Sequence, residues 1–299
     1  MIKGENKKEQ SMDFAQITFT GLTTLSSISI LLIATLGLAV IFGMMGVINL
    51  AHGEFIMLGA FVTLFSTQAG VPFVLSLGLS FVALAIYGAV IEYIIIRHLY
   101  GRLFDTLLAT WGIGLVMYQG AILLFGSYTS GIGLPAGTIG IGKYTMSSYF
   151  GILILVSVIL TATVYLIFVK TKYGVMSRAA IQNPQMAGSI GIPTKKINTI
   201  TFSFGSGLAG LAGGLLVPAF PATPDMGVAF VSKAFLAVVT AGPMIISGAV
   251  TTLIGVGGVS SISGIIFTSV IGDVVFFTIT ILILRFFPTG VSGGWHGKL

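Results

Sequence analysis

The run Gly43-Met-Met-Gly-Val-Ile-Asn-Leu-Ala-His-Gly-Glu54 concentrates the groups in this chain that could do chemistry. Asn49, His52 and Glu54 bring an amide, an imidazole and a carboxyl into a stretch that is otherwise apolar. Together they can exchange hydrogen bonds with a small solute. As metal ligands, His52 and Glu54 lack a third partner at ligand spacing. No Ser, Lys or Asp dyad stands at a spacing that would make a catalytic pair, so no enzyme activity, metal or cofactor is expected.

The elements around these residues must be broken helices. Gly43, Gly46 and Gly53 weaken a helix that should lie deep in a membrane, and a break there must face protein or a wet cavity, because lipid offers peptide groups no partner. Two readings stay open. Either Asn49, His52 and Glu54 line a solute pathway, as discontinuous helices in transporters do, or Asn49 and His52 cap helix ends while Glu54 sits in a first turn that favours a carboxylate. A second irregular region runs from Thr240 through Pro243 to Val250, then Gly255-Val-Gly-Gly258 and Gly264, with Pro243 forcing a kink or a stop. Early and late breaks suit a protein built from repeats, although no residue-by-residue repeat is visible.

Other polar residues at membrane depth are few. Asp273 either lines the pathway or bonds to a neighbouring helix. Trp111 and Gln119 share a helical face near Thr110, and they either touch solute or fill a helix interface. Glu92, one turn from Arg97, is expected to snorkel or to pair with it.

Composition sets the solvent. Of 299 residues, 55% are hydrophobic and 7% charged, where a soluble domain carries about 25% charge. With a mean hydropathy of +1.06, this is an all-α polytopic membrane protein. Eight hydrophobic segments are expected: Ile17–Met45, Phe55–Gln68, Pro72–Ile96, Thr106–Phe125, Ser148–Val169, Ile197–Val217, Lys233–Val256 and Ile262–Phe287. Phe55–Gln68 is short for a full span and either crosses or re-enters. A polar tail, 1–16, precedes this domain of 17–287, and a second tail covers 288–299; no removable signal peptide is read at the N-terminus. The net charge of +6 is gathered in a few loops, which marks topology and not a nucleic-acid surface. Arg97 and Arg102, and then Lys170, Lys172, Arg178, Lys195 and Lys196, mark two cytoplasmic loops; Gly126–Thr145 and Ala219–Ser232 hold only Lys143 and are expected outside. The chain has no cysteine, which excludes disulfides and thiol chemistry.

The cytoplasmic loop 171–196 is built as more than a connection. Ser177 is expected to cap a short helix through Gln182, and Asn183-Pro184 to start a second one carrying Met186 and Ile190 and ending at Gly191. Such an element either docks a partner or lies on lipid.

Gly-Val-Ile-Asn-Leu-Ala-His-Gly-Glu (46–54), followed by Met57-Leu-Gly-Ala-Phe61, resembles the signature of the permease family that serves branched-chain amino acid and urea ABC importers. Arg178–Ile192 is similar to that family's coupling loop, and Phe202–Gly213 to the helix after it. The resemblance covers about Gly21 to Gly290. It implies an inner-membrane permease subunit working with a homologous second permease, two cytoplasmic ATPases and a periplasmic binding protein. The chain itself has no Gly-x-x-x-x-Gly-Lys-Ser/Thr loop. The resemblance also implies ATPase coupling through Arg178, Gln182, Asn183, Met186, Ala187, Gly188 and Gly191. Tyr100–Gly112 is most similar to the urea-type members, and no Arg or Lys stands out at membrane depth to answer an amino acid's carboxylate. Both points favour urea or short amides over branched-chain amino acids as the solute. An ATP-independent small-solute channel is the rival from another class. The stretch Val238–Val250 departs from the family pattern, and so the shape of the late break is not carried over.

Overall fold

The computed structural model describes residues 2–126, 131–133 and 137–293. Parts of the Gly126–Thr145 loop (127–130 and 134–136) and of the C-terminal tail (294–299) lie outside the described residues, as does Met1. The regular structure among the described residues is helical but for one antiparallel hairpin, β1 (Thr138–Ile141) with β2 (Tyr144–Ser147).

Among them, seven helices are long and apolar enough to cross a membrane. They are α1 (Ile2–Met45, apolar from Phe14), α3 (Phe73–Ile94), α4 (Leu103–Phe125) and α5 (Ser148–Tyr165, extended to Lys170 by a π-turn). After two short helices, α6 (Lys172–Gln182) and α7 (Pro184–Ser189), the series continues with α8 (Thr194–Leu216). The sixth span, Ile245–Ile266, is α10 (Ile245–Thr252) joined through a π-turn to α11 (Gly258–Ile266); the last is built on α12 (Ser269–Phe286).

Two helices are too short to cross. α2 (His52–Gln68) has 17 residues and α9 (Met226–Ala241) has 16, each about 25 Å against a hydrocarbon layer of about 30 Å. Each follows non-helical chain, 46–51 before α2 and 217–225 before α9. The basic residues near the end of α3 and the starts of α4, α6 and α8 define one end of the bundle, which α1 also reaches, since Gly46 packs on Ile181 of α6. The hairpin marks the other end, where Phe19 of α1 stacks on Tyr144 at 4.8 Å. α2 leads from within the bundle to the hairpin end. α9 leads to the basic end, where Met244 N donates to Ser292 Oγ at 2.9 Å and Ile245 packs 3.2 Å from the space beside Gly43.

The two short helices therefore point in opposite directions, and their first turns meet. A Cβ built on Gly53 would lie 2.7 Å from the carbonyl oxygen of Gly227, and Gly227 is equally closed by Gly53. Gly37 of α1 and Gly205 of α8 show the same reciprocity, with a Cβ on Gly205 meeting the Gly37 carbonyl at 2.8 Å. So α1, break, α2, α3 recurs upside down as α8, break, α9, α10–α11. Close backbone approach is what holds membrane helices together, because lipid supplies no hydrophobic drive between them. Ser80 of α3 closes the knot by donating to Gly59 and Gly210 carbonyls at 3.0 and 2.7 Å.

This arrangement re-cuts two expected segments. Lys233–Val256 is the second half of α9, a turn at Gly242–Met244 and most of the next span; Ile262–Phe287 is the end of α11 and α12. The deep late break is also earlier than expected. It lies at 217–225, in what reads as an outside loop, while the turn at Pro243 is at the basic end. Pro218, Pro221 and Pro224 account for the missing helix there.

Candidate functional site

α1 ends in Gly46, whose φ of +65° lets the chain turn back. From Val47 to Leu50 the backbone is not helical and its groups need partners. Thr110 of α4 supplies them: the Leu50 amide donates to Thr110 Oγ1 at 3.1 Å, and that hydroxyl lies 3.2 Å from the Ile48 carbonyl. His52 Nε2 donates to the Ala34 carbonyl at 2.9 Å, which fixes its tautomer and holds the start of α2 about three turns, roughly 16 Å, back along α1 from Met45. His52 is fully buried, and its ring fills the space beside Gly37.

Four side-chain atoms of this segment have no partner among the described residues. Asn49 Oδ1 and Nδ2, His52 Nδ1 and Glu54 Oε2 are all buried without a hydrogen bond. The Glu54 carboxyl stands in the first turn of α2 and faces Gly114 of α4, where a Cβ would approach Oε2 to 3.2 Å. Burying such groups unpaired costs about 1–3 kcal/mol each. Thr110 and Gly114, one turn apart on α4, thus meet the broken segment at Leu50 and Glu54, with His52 bracing it beside the Gly53–Gly227 contact.

The other expected residues lie elsewhere. Trp111 and Gln119 are exposed on the outer face of α4, away from Thr110 and Gly114. Asp273 of α12 pairs with Lys233 of α9 at 2.5 Å. Lys233, the first residue of the expected segment Lys233–Val256, lies inside α9 and places a cation within the bundle, against the expectation that no Lys stands there. Glu92 is fully buried and bonded to Tyr100 and, at 3.4 Å, to Arg97, which also donates to Thr199 of α8 at 2.9 Å and lies over the Tyr93 ring at 4.4 Å. Burial and the Glu92 carboxylate push the Tyr100 phenol up, so it stays a donor. Among the described residues no three His, Cys, Asp or Glu gather as a metal site.

The loop between α5 and α8 forms two helices. α6 is capped by Thr171, whose hydroxyl accepts from the Gly174 amide at 3.3 Å, and not by Ser177, which is buried mid-helix. Asn183 caps α7, its Oδ1 accepting from the Met186 amide at 3.0 Å, with Pro184 in the first position and Gly191 at φ +86° beyond its end. Met186 and Ile190 project outward, 62% and 70% exposed, while Ala187 is buried beneath them. Gln182, Asn183 and Gly188 share the outer surface. Arg178 is turned inward and donates to the Phe168 carbonyl at the end of α5. Ala187 and Arg178 therefore hold the element together, and Met186 and Ile190 present it.

Seven spans, two half-length helices that meet inside the bundle, and an exposed apolar tip at the basic end define a multi-pass permease. The chain belongs to the family described as branched-chain amino acid transport system / permease component, which it matches over residues 21–284. It is 29% identical over 298 residues to the high-affinity branched-chain amino acid transport system permease protein BraD of Pseudomonas aeruginosa, covering 94% of this chain and 96% of that one. To the permease protein LivH of Escherichia coli K12 it is 28% identical over 308 residues, covering 95% and 97%. To a probable LivH of Methanocaldococcus jannaschii it is 29% identical over 289 residues, covering 89% of each. No solved structure matches. The protein is therefore a multi-pass inner-membrane permease subunit of an ABC importer and not an enzyme, and the family implies ATPase and other subunits as its partners.

Proposed function

We propose that this permease subunit carries branched-chain amino acids inward, with a homologous second permease, two cytoplasmic ATPases docked on α6 and α7, and a periplasmic binding protein. The observation that carries the solute is Lys233. An amino acid needs a cation and an anion along its path, and the Lys233–Asp273 pair supplies both at membrane depth. The names of the similar permeases point the same way. Urea, neutral and flat, gives no reason for a lysine there. In this reading 17–287 is the permease domain, 171–196 its coupling loop, and Asn49 and Glu54 belong to the pathway with His52 as their brace. Trp111 and Gln119, on the outer face of α4, meet the second permease.

The test is uptake of labelled leucine, isoleucine, valine and urea by cells expressing the whole importer. The expected result is ATP-dependent uptake of one or more of the amino acids and none of urea; uptake of urea alone would return the solute to the urea branch. Orientation has its own check. The basic end is placed in the cytoplasm, so cysteines introduced at His98 and Ser189 should resist a membrane-impermeant thiol reagent in intact cells, and one at Gly140 in β1 should label. This naturally cysteine-free chain gives no background. Labelling at Ser189 from outside would invert the whole arrangement.

A further inference from the structure

A recess of about 390 Å³ opens between α1, α9, α11 and α12, within the roughly 300–1,000 Å³ range of small-molecule sites. Its charged groups are Lys233 and Asp273, with Nζ and Oδ1 2.5 Å apart. Ser27, Ser261 and Ser269 add hydroxyls to its wall. Phe220 and Phe230, edge to face at 6.0 Å, give it an apolar side. The pair is not sealed: the Asp273 side chain is 48% exposed and that of Lys233 21%. Lys233 lies less than two turns along α9 from Gly227, where α9 meets α2.

A charged residue in a membrane segment is expensive enough to make function its default reading. A plain staple between α9 and α12 would need neither the recess nor its mixed wall. We propose that this recess is a zwitterion site, in which an α-amino acid inserts between Lys233 and Asp273. The ligand's carboxylate takes the ammonium of Lys233 and its ammonium takes the carboxylate of Asp273. One ion pair is exchanged for two, and no charge is left unpaired in either the empty or the loaded site. The aliphatic side chain lies against Phe220 and Phe230, and the serine hydroxyls, able to donate or accept, meet the atoms the charged pair leaves over. A neutral amide or urea cannot open the pair in this way, because it offers nothing to replace either charge. The site thus selects for solutes with both charges before any side-chain discrimination. This inference rests on the amino-acid reading above.

The double variant K233Q/D273N keeps a hydrogen bond between α9 and α12 while removing both charges. In cells expressing the whole importer it is expected to assemble, shown by co-purification of the ATPases, and to take up leucine, isoleucine and valine at least tenfold more slowly than the wild type. Wild-type uptake by an assembled K233Q/D273N would overturn the site and leave the pair as a staple. Should that variant fail to assemble, the wild-type complex decides. Photo-leucine, a zwitterion carrying a diazirine side chain, is expected to cross-link to peptides of α9 or α12 on irradiation, and attachment only elsewhere would overturn the site. Wild-type uptake of none of the three amino acids would sink the solute assignment together with the site, whereas uptake indifferent to K233Q/D273N sinks the site alone.

Discussion

Glu54→Leu is expected to lower amino acid uptake by roughly 10–100-fold while the importer still assembles. The carboxyl of Glu54 stands in the first turn of α2, where the helix dipole favours a negative group, and its Oε2 is buried against Gly114 with no partner among the described residues. A passing ammonium would find there the acceptor that the chain leaves unused. A hydrogen bond to a charged group is worth about 1.5–3 kcal/mol, and about 1.4 kcal/mol is tenfold, which sets the size of the loss. Glu54→Gln keeps an acceptor of the same reach without the charge and should retain part of the uptake. The measurement is labelled leucine uptake, normalised to the permease recovered with its ATPases. Normal transport by Glu54→Leu would reduce Glu54 to a helix-start residue. Failure of both variants to assemble would make it a brace like His52 and move the pathway towards Lys233 and Asp273.

Met186→Glu should separate ATP hydrolysis from transport. Met186 and Ile190 form the apolar tip of α7 at the basic end, and Asn183 and Gly191 fix both ends of that helix. A carboxylate in an apolar contact is a buried, unpaired charge, costing about 2–5 kcal/mol. Uptake should therefore fall at least about tenfold, with ATP hydrolysis persisting in the assembled complex or the ATPases no longer co-purifying. Ala187→Glu is a poorer probe, because Ala187 is buried and the charge would undo α7 itself. Undiminished uptake by Met186→Glu would mean that α7 lies on lipid and docks nothing.

What could be seen in the sequence was what local chemistry decides. Asn183-Pro184 announces the start of α7 because a cap and an N1 proline act within one turn. The break at Gly43–Glu54 announces itself because polar and flexible residues interrupt an apolar run. The inverted partner did not show itself. Residues 217–225 carry three prolines and little charge and look like an outside loop; only the contact of Gly227 with Gly53, set by tertiary packing, reveals the start of a half-helix. The same holds for Lys233, a lysine at the edge of a window by hydropathy, but a mid-helix cation once α9 begins at Met226. Arg178 and Ala187 match the expected docking loop by position, yet one turns to the Phe168 carbonyl and the other faces inward. Sequence order gives the element; burial decides which of its faces meets a partner.

Gly46 carries a mechanical consequence for the proposed coupling. It is the pivot on which α1 hands over to the polar segment, and the space beside it is 3.6 Å from the Cδ1 of Ile181, near the end of α6. A push on α7, were the proposed ATPases to deliver one there, would meet α6 first and then, through Ile181, the pivot at Gly46. Only Val47 and Ile48 then separate that point from Asn49. On the proposed reading, in which α7 meets the ATPases and Asn49 lies on the pathway, the linkage is a short crank, with little elastic helix between the docking tip and the polar segment to absorb a stroke.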